Sequence, residues 1–210
     1  NVISANGKIA AGAAGIRLSS LSTDTTIRGN VIGRDPLNLA NFPNGKDGIL
    51  VEGSGHNVIG GTGLGEANVI AGNGRNGVKI TSSGNGWANL VSGNAIFGNH
   101  VLENGLGIDL EYNPQDADPT NNTDPATNYS NYGQNAPVVS TGAGAPYYDT
   151  ATGNTVVDWT LDTSAGTPIT LEFFASDAAG LSGNGEGQLY LGKTTITTDG
   201  SGHAAGVTPV

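Results

Sequence analysis

Six of the chain's eighteen acidic residues, Glu103, Asp109, Glu111, Asp116, Asp118 and Asp124, fall in one short tract. Carboxylates gathered this closely suit two kinds of chemistry: holding a hard cation or moving a proton. Calcium takes about 6–8 oxygen ligands from carboxylates, Asn amides and backbone carbonyls of a pliant loop. Asp116 and Asp118, with Asn121, Asn122 and Asp124 nearby, offer such oxygens. The expectation is a structural calcium site using Asp109, Asp116, Asp118 and Asp124, set against a plain solvated acidic loop. The tract is not an EF-hand, because the glycine and closing glutamate are misplaced. The Gly-Gly-x-Gly-x-Asp calcium nonapeptide is absent as well.

Proton chemistry would need a carboxylate pair. Asp109 and Glu111 are two apart on a predicted strand, hence on one face and about 7 Å from each other. Glycosidases hold two carboxyl groups about 5 Å or about 6.5–9.5 Å apart, and any acidic strand meets that loosely. His56, His100 and His203 are scattered and read as surface or turn residues, and no Gly-x-Ser-x-Gly elbow supports a serine nucleophile. Cysteine is absent, which excludes a thiolate nucleophile, cysteine-ligated zinc and a disulfide framework. Trp87, Tyr112, Tyr129, Tyr132, Tyr147 and Tyr148 stand in loop-like text. Trp87 and Tyr112 lead as rings that would stack on a sugar; loop packing accounts for each equally well.

The elements that position these residues must be β. Glycine makes up 35 of 210 residues and charged residues only 12%, against about 25% in an average soluble domain. No stretch sustains apolar spacing at i, i+3, i+4 and i+7, and Gly and Asn are poor helix formers. No apolar run is long enough for a transmembrane helix. The net charge of −10 is uneven: residues 1–79 carry seven basic and five acidic groups, residues 80–210 one basic and thirteen acidic. With no concentrated basic face, nucleic acid is excluded as a partner.

Three strings recur in fixed order through the first half. Asn-Val-Ile opens a unit at Asn1, Asn30 and Asn68, with Asn-Ala-Ile at Asn94. Between them come Gly15-Ile16-Arg17-Leu18, Gly48-Ile49-Leu50-Val51, Gly77-Val78-Lys79-Ile80 and Gly107-Ile108-Asp109-Leu110. Each unit closes with Thr26-Ile27-Arg28-Gly29, Asn57-Val58-Ile59-Gly60 or Asn89-Leu90-Val91-Ser92-Gly93. Three short strands per unit, each stacked about 4.8 Å over its counterpart, build a three-sided parallel coil with aliphatic side chains inside. Asn30, Asn68 and Asn94 share one phase, so their amides are predicted to stack into a hydrogen-bonded ladder. The segment Arg34 to Gly45 is an insertion that should bulge from one face.

The pattern Asn-Val-Ile-x-x-Asn-Gly-x-x-Gly-Val, from Asn68 to Val78, resembles the right-handed parallel β-helix repeats of large secreted bacterial surface proteins. Gly105-Leu106-Gly107-Ile108-Asp109-Leu110, then Asp116-Ala117-Asp118 and Gln134-Asn135-Ala136-Pro137-Val138, resembles the segment that ends such arrays. The family commonly has a longer Asp-Asn tract and an aromatic where Ala136 stands. Leu171-Glu172-Phe173-Phe174-Ala175, Gly185-Glu186-Gly187-Gln188 and Thr197-Thr198-Asp199-Gly200-Ser201-Gly202 resemble the β-sandwich module that follows. The resemblance implies secretion and this architecture. Polysaccharide lyases on β-helices are similar too, but they need basic groups against a polyanion, and Lys193 is the single base after residue 79.

The predicted organisation is all-β: a parallel β-helix of about four coils over 1–110, an acidic polar linker over 111–136, and an Ig-like antiparallel sandwich over 137–210. Within the last, strands are expected at Thr155–Leu161, Ile169–Phe174, Gln188–Leu191 and Thr194–Thr197, with Trp159 and Phe173 in the core. The sequence opens inside a repeat and stops at Pro209-Val210, so a fragment is expected, with one strand lacking and an edge unpaired. The predicted role is a non-catalytic secreted or cell-surface structural or adhesive module, self-assembling through coil ends or strand addition. Its partners would be polysaccharide or copies of itself. The alternatives are a carbohydrate-binding module and a β-helical polysaccharide lyase or glycoside hydrolase.

Overall fold

The computed structural model describes residues 1–7, 12–19, 22–37, 39–81, 89–99, 105–111, 136–179 and 185–210. Eleven short strands form the first part: β1 (Val2–Ile3), β2 (Ile16–Leu18), β3 (Thr26–Ile27), β4 (Val31–Ile32), β5 (Ile49–Glu52), β6 (Val58–Gly60), β7 (Val69–Ala71), β8 (Val78–Thr81), β9 (Leu90–Ser92), β10 (Ala95–Phe97) and β11 (Ile108–Glu111). They sort into three parallel sheets ordered β1-β4-β7-β10, β2-β5-β8-β11 and β3-β6-β9. Every third strand therefore stacks on its predecessor, which defines a parallel β-solenoid. The strands complete about three turns rather than four, because the fourth passage supplies β10 and β11 but no described third strand.

Register is set by the aliphatic column. Ile3, Ile32, Ile70 and Ile96 lie over one another in the first sheet. Leu18, Val51, Ile80 and Leu110 do so in the second, and Ile27, Ile59 and Val91 in the third. Ile32, Ile49, Val51, Ile59, Ile70 and Val78 are fully buried. Because side chains alternate across a strand, a slip of one residue would turn this whole column outward.

The glycine preceding each strand of the second sheet is fixed by crowding. A Cβ on Gly48 would lie 2.6 Å from the Ile70 Cγ2, 2.7 Å from the Gly77 carbonyl and 2.8 Å from the Asn73 Nδ2. The insertion after β4 projects as the sequence predicts. Arg34 and Asn41 form an antiparallel bridge, the Asp35 carboxylate accepts the Leu39 N–H at 2.6 Å, and Leu37 and Leu39 are largely exposed.

The C-terminal strands are β12 (Val138–Val139), β13 (Tyr147–Asp149), β14 (Asn154–Asp162), β15 (Pro168–Ala175), β16 (Leu189–Thr197) and β17 (His203–Pro209), with a 3-10 turn at Gly142–Gly144. β14 is the hub: β12 and β13 pair antiparallel along one side and β17 along the other. β15 and β16 make a second sheet. Trp159, Leu161 and Leu171 form the core with Ile169, Phe173, Ile196 and Ala204, and the Trp159 indole N–H donates to Thr208 Oγ1 at 2.9 Å.

Three details differ from the sequence expectation. Leu189–Thr197 is one strand, since pairing with β15 carries the backbone through Gly192-Lys193, where the sequence suggested a break. Tyr147 and Tyr148 lie in a strand rather than a loop, because β14 offers them a partner. His203–Pro209 forms a full strand despite its small residues, paired along its length with β14. By contact density the chain divides into two compact units. The first holds the coil together with Phe174–Tyr190; the second holds 136–173 and 191–210.

Candidate functional site

A tube this narrow must satisfy polar groups at each corner, and asparagine does so. In the predicted ladder the Asn1 Nδ2 donates to Asn30 Oδ1 at 3.2 Å, Asn30 to Asn68 at 3.0 Å and Asn68 to Asn94 at 2.9 Å. The backbone N–H of Asn30 and of Asn68 donates to the same oxygens. The Oδ1 of Asn68 and that of Asn94 thus each accept twice, and the spare Nδ2 hydrogen of Asn68 reaches the Ile27 carbonyl at 2.8 Å.

Two further ladders and a buried polar column follow the same logic. Asn6 donates to Asn44 at 3.0 Å, Asn44 to Asn73 at 2.8 Å and Asn73 to Asn99 at 2.9 Å. Asn57 donates to Asn89 at 2.8 Å. In the column, Asn76 donates to Asp47 at 2.8 Å through its side chain and at 3.1 Å through its backbone. Among the described residues the one buried side-chain polar atom left without a partner is Arg34 Nε, whose guanidinium lies over the Phe97 ring at 5.2 Å.

The second ladder ends on a carboxylate. Glu186 Oε2 accepts the Asn99 side-chain N–H at 2.9 Å and its backbone N–H at 3.3 Å. The next residue, Gly187, accepts the Ile96 N–H at 3.0 Å, and a Cβ on Gly107 would meet the Glu186 carbonyl at 2.8 Å. Gly185–Gln188 therefore sits where another turn would stack. Sequence reasoning placed Glu186 in the second module and gave no signal of this contact across the chain.

Asp109 is the one predicted metal ligand among the described residues. It lies on β11 in register with Lys79; its Oδ2 is 3.5 Å from Lys79 Nζ and accepts from Asn76 Nδ2 at 3.1 Å. Asn76 thereby bridges Asp109 and Asp47. Lys79 and Asp47 are both buried, and burial pushes the Asp47 carboxyl above its ordinary value against the opposing pull of the Asn76 hydrogen bonds and the Lys79 and Arg75 charges. This arrangement can hold charges in place on one side of the coil.

Asp116, Asp118 and Asp124, like Trp87, Tyr112, Glu103, His100, Tyr129 and Tyr132, lie outside the described residues, as does the side chain of Glu111. Among the described residues no three His, Asp or Glu side chains gather in a group able to hold a metal ion. His56 occupies a turn with φ 57°, and the His203 Nδ1 lies 2.7 Å from Asp162 on the neighbouring strand. Tyr147 and Tyr148 are exposed by 60% and 64%. No described helix is long and apolar enough to cross a membrane. The chain matches no known family model and no curated protein.

Proposed function

We propose that the chain is a non-catalytic module of a secreted or cell-surface protein, of the kind its repeats resemble, acting as a rigid structural or adhesive element. The observation that carries this is the fully bonded asparagine interior: buried amides whose donors and acceptors are all engaged hold a single stiff register. Outward-facing residues on such a scaffold vary without disturbing it, which suits a surface that touches matrix, glycan or a neighbouring copy. Calcium held through Asp116, Asp118 and Asp124 belongs to the proposal on sequence grounds alone. The test is retention of labelled protein on intact cells and extracted matrix, alongside turnover assays on a polysaccharide panel. Retention without turnover is expected. Release of reducing ends or of unsaturated products would overturn it.

A second reading, carbohydrate binding, is favoured by the exposure of Tyr147, which pairs cross-strand with Val156 on one sheet face. A glycan array decides it: a hit abolished by Tyr147→Ala supports sugar stacking, and a hit unaffected by that change removes this face from consideration.

A further inference from the structure

The edge of β17 carries a donor and acceptor pattern that is complementary to itself. Thr155 and Val210 exchange both backbone hydrogen bonds at 2.8 Å, and the Thr163 N–H donates to the Gly202 carbonyl at 2.8 Å. In an antiparallel ladder bonded pairs alternate with unbonded ones. Ala204, Gly206 and Thr208 therefore bond to β14, while His203, Ala205, Val207 and Pro209 turn their backbone groups to the far side. No strand pairs there among the described residues.

Those four positions are not equivalent. The His203 N–H donates to the Asp199 carboxylate at 2.9 Å and its carbonyl accepts the Asp199 N–H at 2.9 Å. Pro209 has no N–H to offer. The open groups are thus the N–H and C=O of Ala205 and of Val207, with the Pro209 carbonyl beyond them.

We propose that β17 pairs antiparallel with β17 of a second copy of this chain, about a two-fold axis at Gly206. This deepens the assembly component of the proposed role by naming partner and register. With Ala205 opposite the second copy's Val207, both residues exchange N–H···O=C bonds, and symmetry repeats the exchange, so four bonds satisfy all four open groups. The same register sets Pro209 opposite His203, the two positions whose N–H groups are missing or already bonded. Any shift places an open N–H against one of them.

The side chains agree. Residues on the open side also share the outer sheet face, where Val207 is 64% exposed and Ala205 is small. β17 carries no Lys, Glu or Asp, the charges that commonly guard a free edge. Its single titratable side chain, His203, is held by Asp162 of its own sheet. A two-fold pairing uses up the edge on each copy, so the assembly closes at two.

The full chain is tested by light scattering and analytical ultracentrifugation from micromolar to millimolar concentration, with amide hydrogen exchange read by NMR. Mass is expected to rise from 21.0 kDa toward twice that value, with exchange at Ala205 and Val207 slowing in parallel. Val207→Lys is expected to stay at single mass at every concentration, with the Trp159 indole resonance unchanged as the sign of intact folding. Val207→Pro removes a donor that β14 does not use and should act alike. A strict monomer overturns the proposal. So does a dimer that leaves the Ala205 and Val207 amides exchanging freely, or one that Val207→Lys forms equally well. Surface retention is measured separately, so either idea can fail without the other.

Discussion

The side-chain amide of Asn99 donates to the carboxylate of Glu186 at 2.9 Å, across 87 residues of sequence. An amide ladder needs an acceptor at its last rung that has no further rung to serve. A carboxylate, which only accepts, is that group.

Removing this contact tests whether Gly185–Gln188 closes the coil. Glu186→Ala leaves two Asn99 donors short of their acceptor, an expected cost of about 1–3 kcal/mol. Hydrogen exchange should quicken at the Ile96 and Asn99 amides and stay slow at Asn68. Uniform protection in the variant would show that the segment adds nothing to the coil.

Within the tube the stakes rise. Asn68 is fully buried, and Asn68→Ala strands the Asn30 donors and the Ile27 carbonyl together. Urea denaturation should register a loss of about 2–4 kcal/mol, since each buried orphan costs on the order of 1 kcal/mol or more. A midpoint unchanged from the parent would mean the ladder is decorative.

Gly48→Ala tests crowding rather than bonding. Its methyl would press on Ile70, the Gly77 carbonyl and Asn73, and overpacking of this kind costs about 1–3 kcal/mol. Gly200→Ala, where nothing lies within 4 Å of the added carbon, should stay within about 0.5 kcal/mol of the parent. Equal melting temperatures for the two variants would contradict the glycine argument.

Burial raises the Asp47 carboxyl, so the folded state holds that proton more tightly than the unfolded chain does. Stability from this group therefore falls as pH rises through the folded pKa and recovers as pH drops toward the ordinary value of 3.8. Asp47→Asn keeps an oxygen for Asn76 and removes the buried charge. It should raise the melting temperature at neutral pH, with the gain shrinking on acidification. A pH-independent difference would sink the electrostatic explanation.

Asp199 behaves in the opposite sense. Hydrogen bonds from the Ser201 hydroxyl first, then from the His203 and Ser201 N–H groups, hold its carboxyl down to about 2. Its contribution is complete above the unfolded value near 3.8 and is lost as pH falls toward 2. Asp199→Ala should flatten the acid limb of the stability curve over that window. An unaltered limb would place the acid sensitivity elsewhere.

The coil was legible because period-two alternation and asparagine phase survive in the sequence. The ladder from Asn6 to Asn99 was harder to see, because the insertion after β4 permutes its spacing. Rungs at Asn1, Asn30, Asn68 and Asn94 are 29, 38 and 26 apart, whereas those at Asn6, Asn44, Asn73 and Asn99 are 38, 29 and 26 apart. In the second half, Thr155–Leu161 announced itself by alternation and by Trp159. Tyr147–Asp149 and His203–Pro209 did not, since their strand form comes from what β14 offers rather than from their own propensity. Of the predicted metal ligands only Asp109 falls among the described residues, and its carboxylate faces Lys79 and Asn76.

The long ladders have a direction. From Asn1 to Asn94 and from Asn6 to Asn99, side-chain N–H groups point toward the later turns and oxygens toward the earlier ones. Aligned amides add their dipoles as peptide units do in a helix, leaving partial positive charge at the final turn. The Glu186 anion stands at that positive pole, and neutralising it by Glu186→Gln would leave the rung bonded yet strip the coil of its counter-charge.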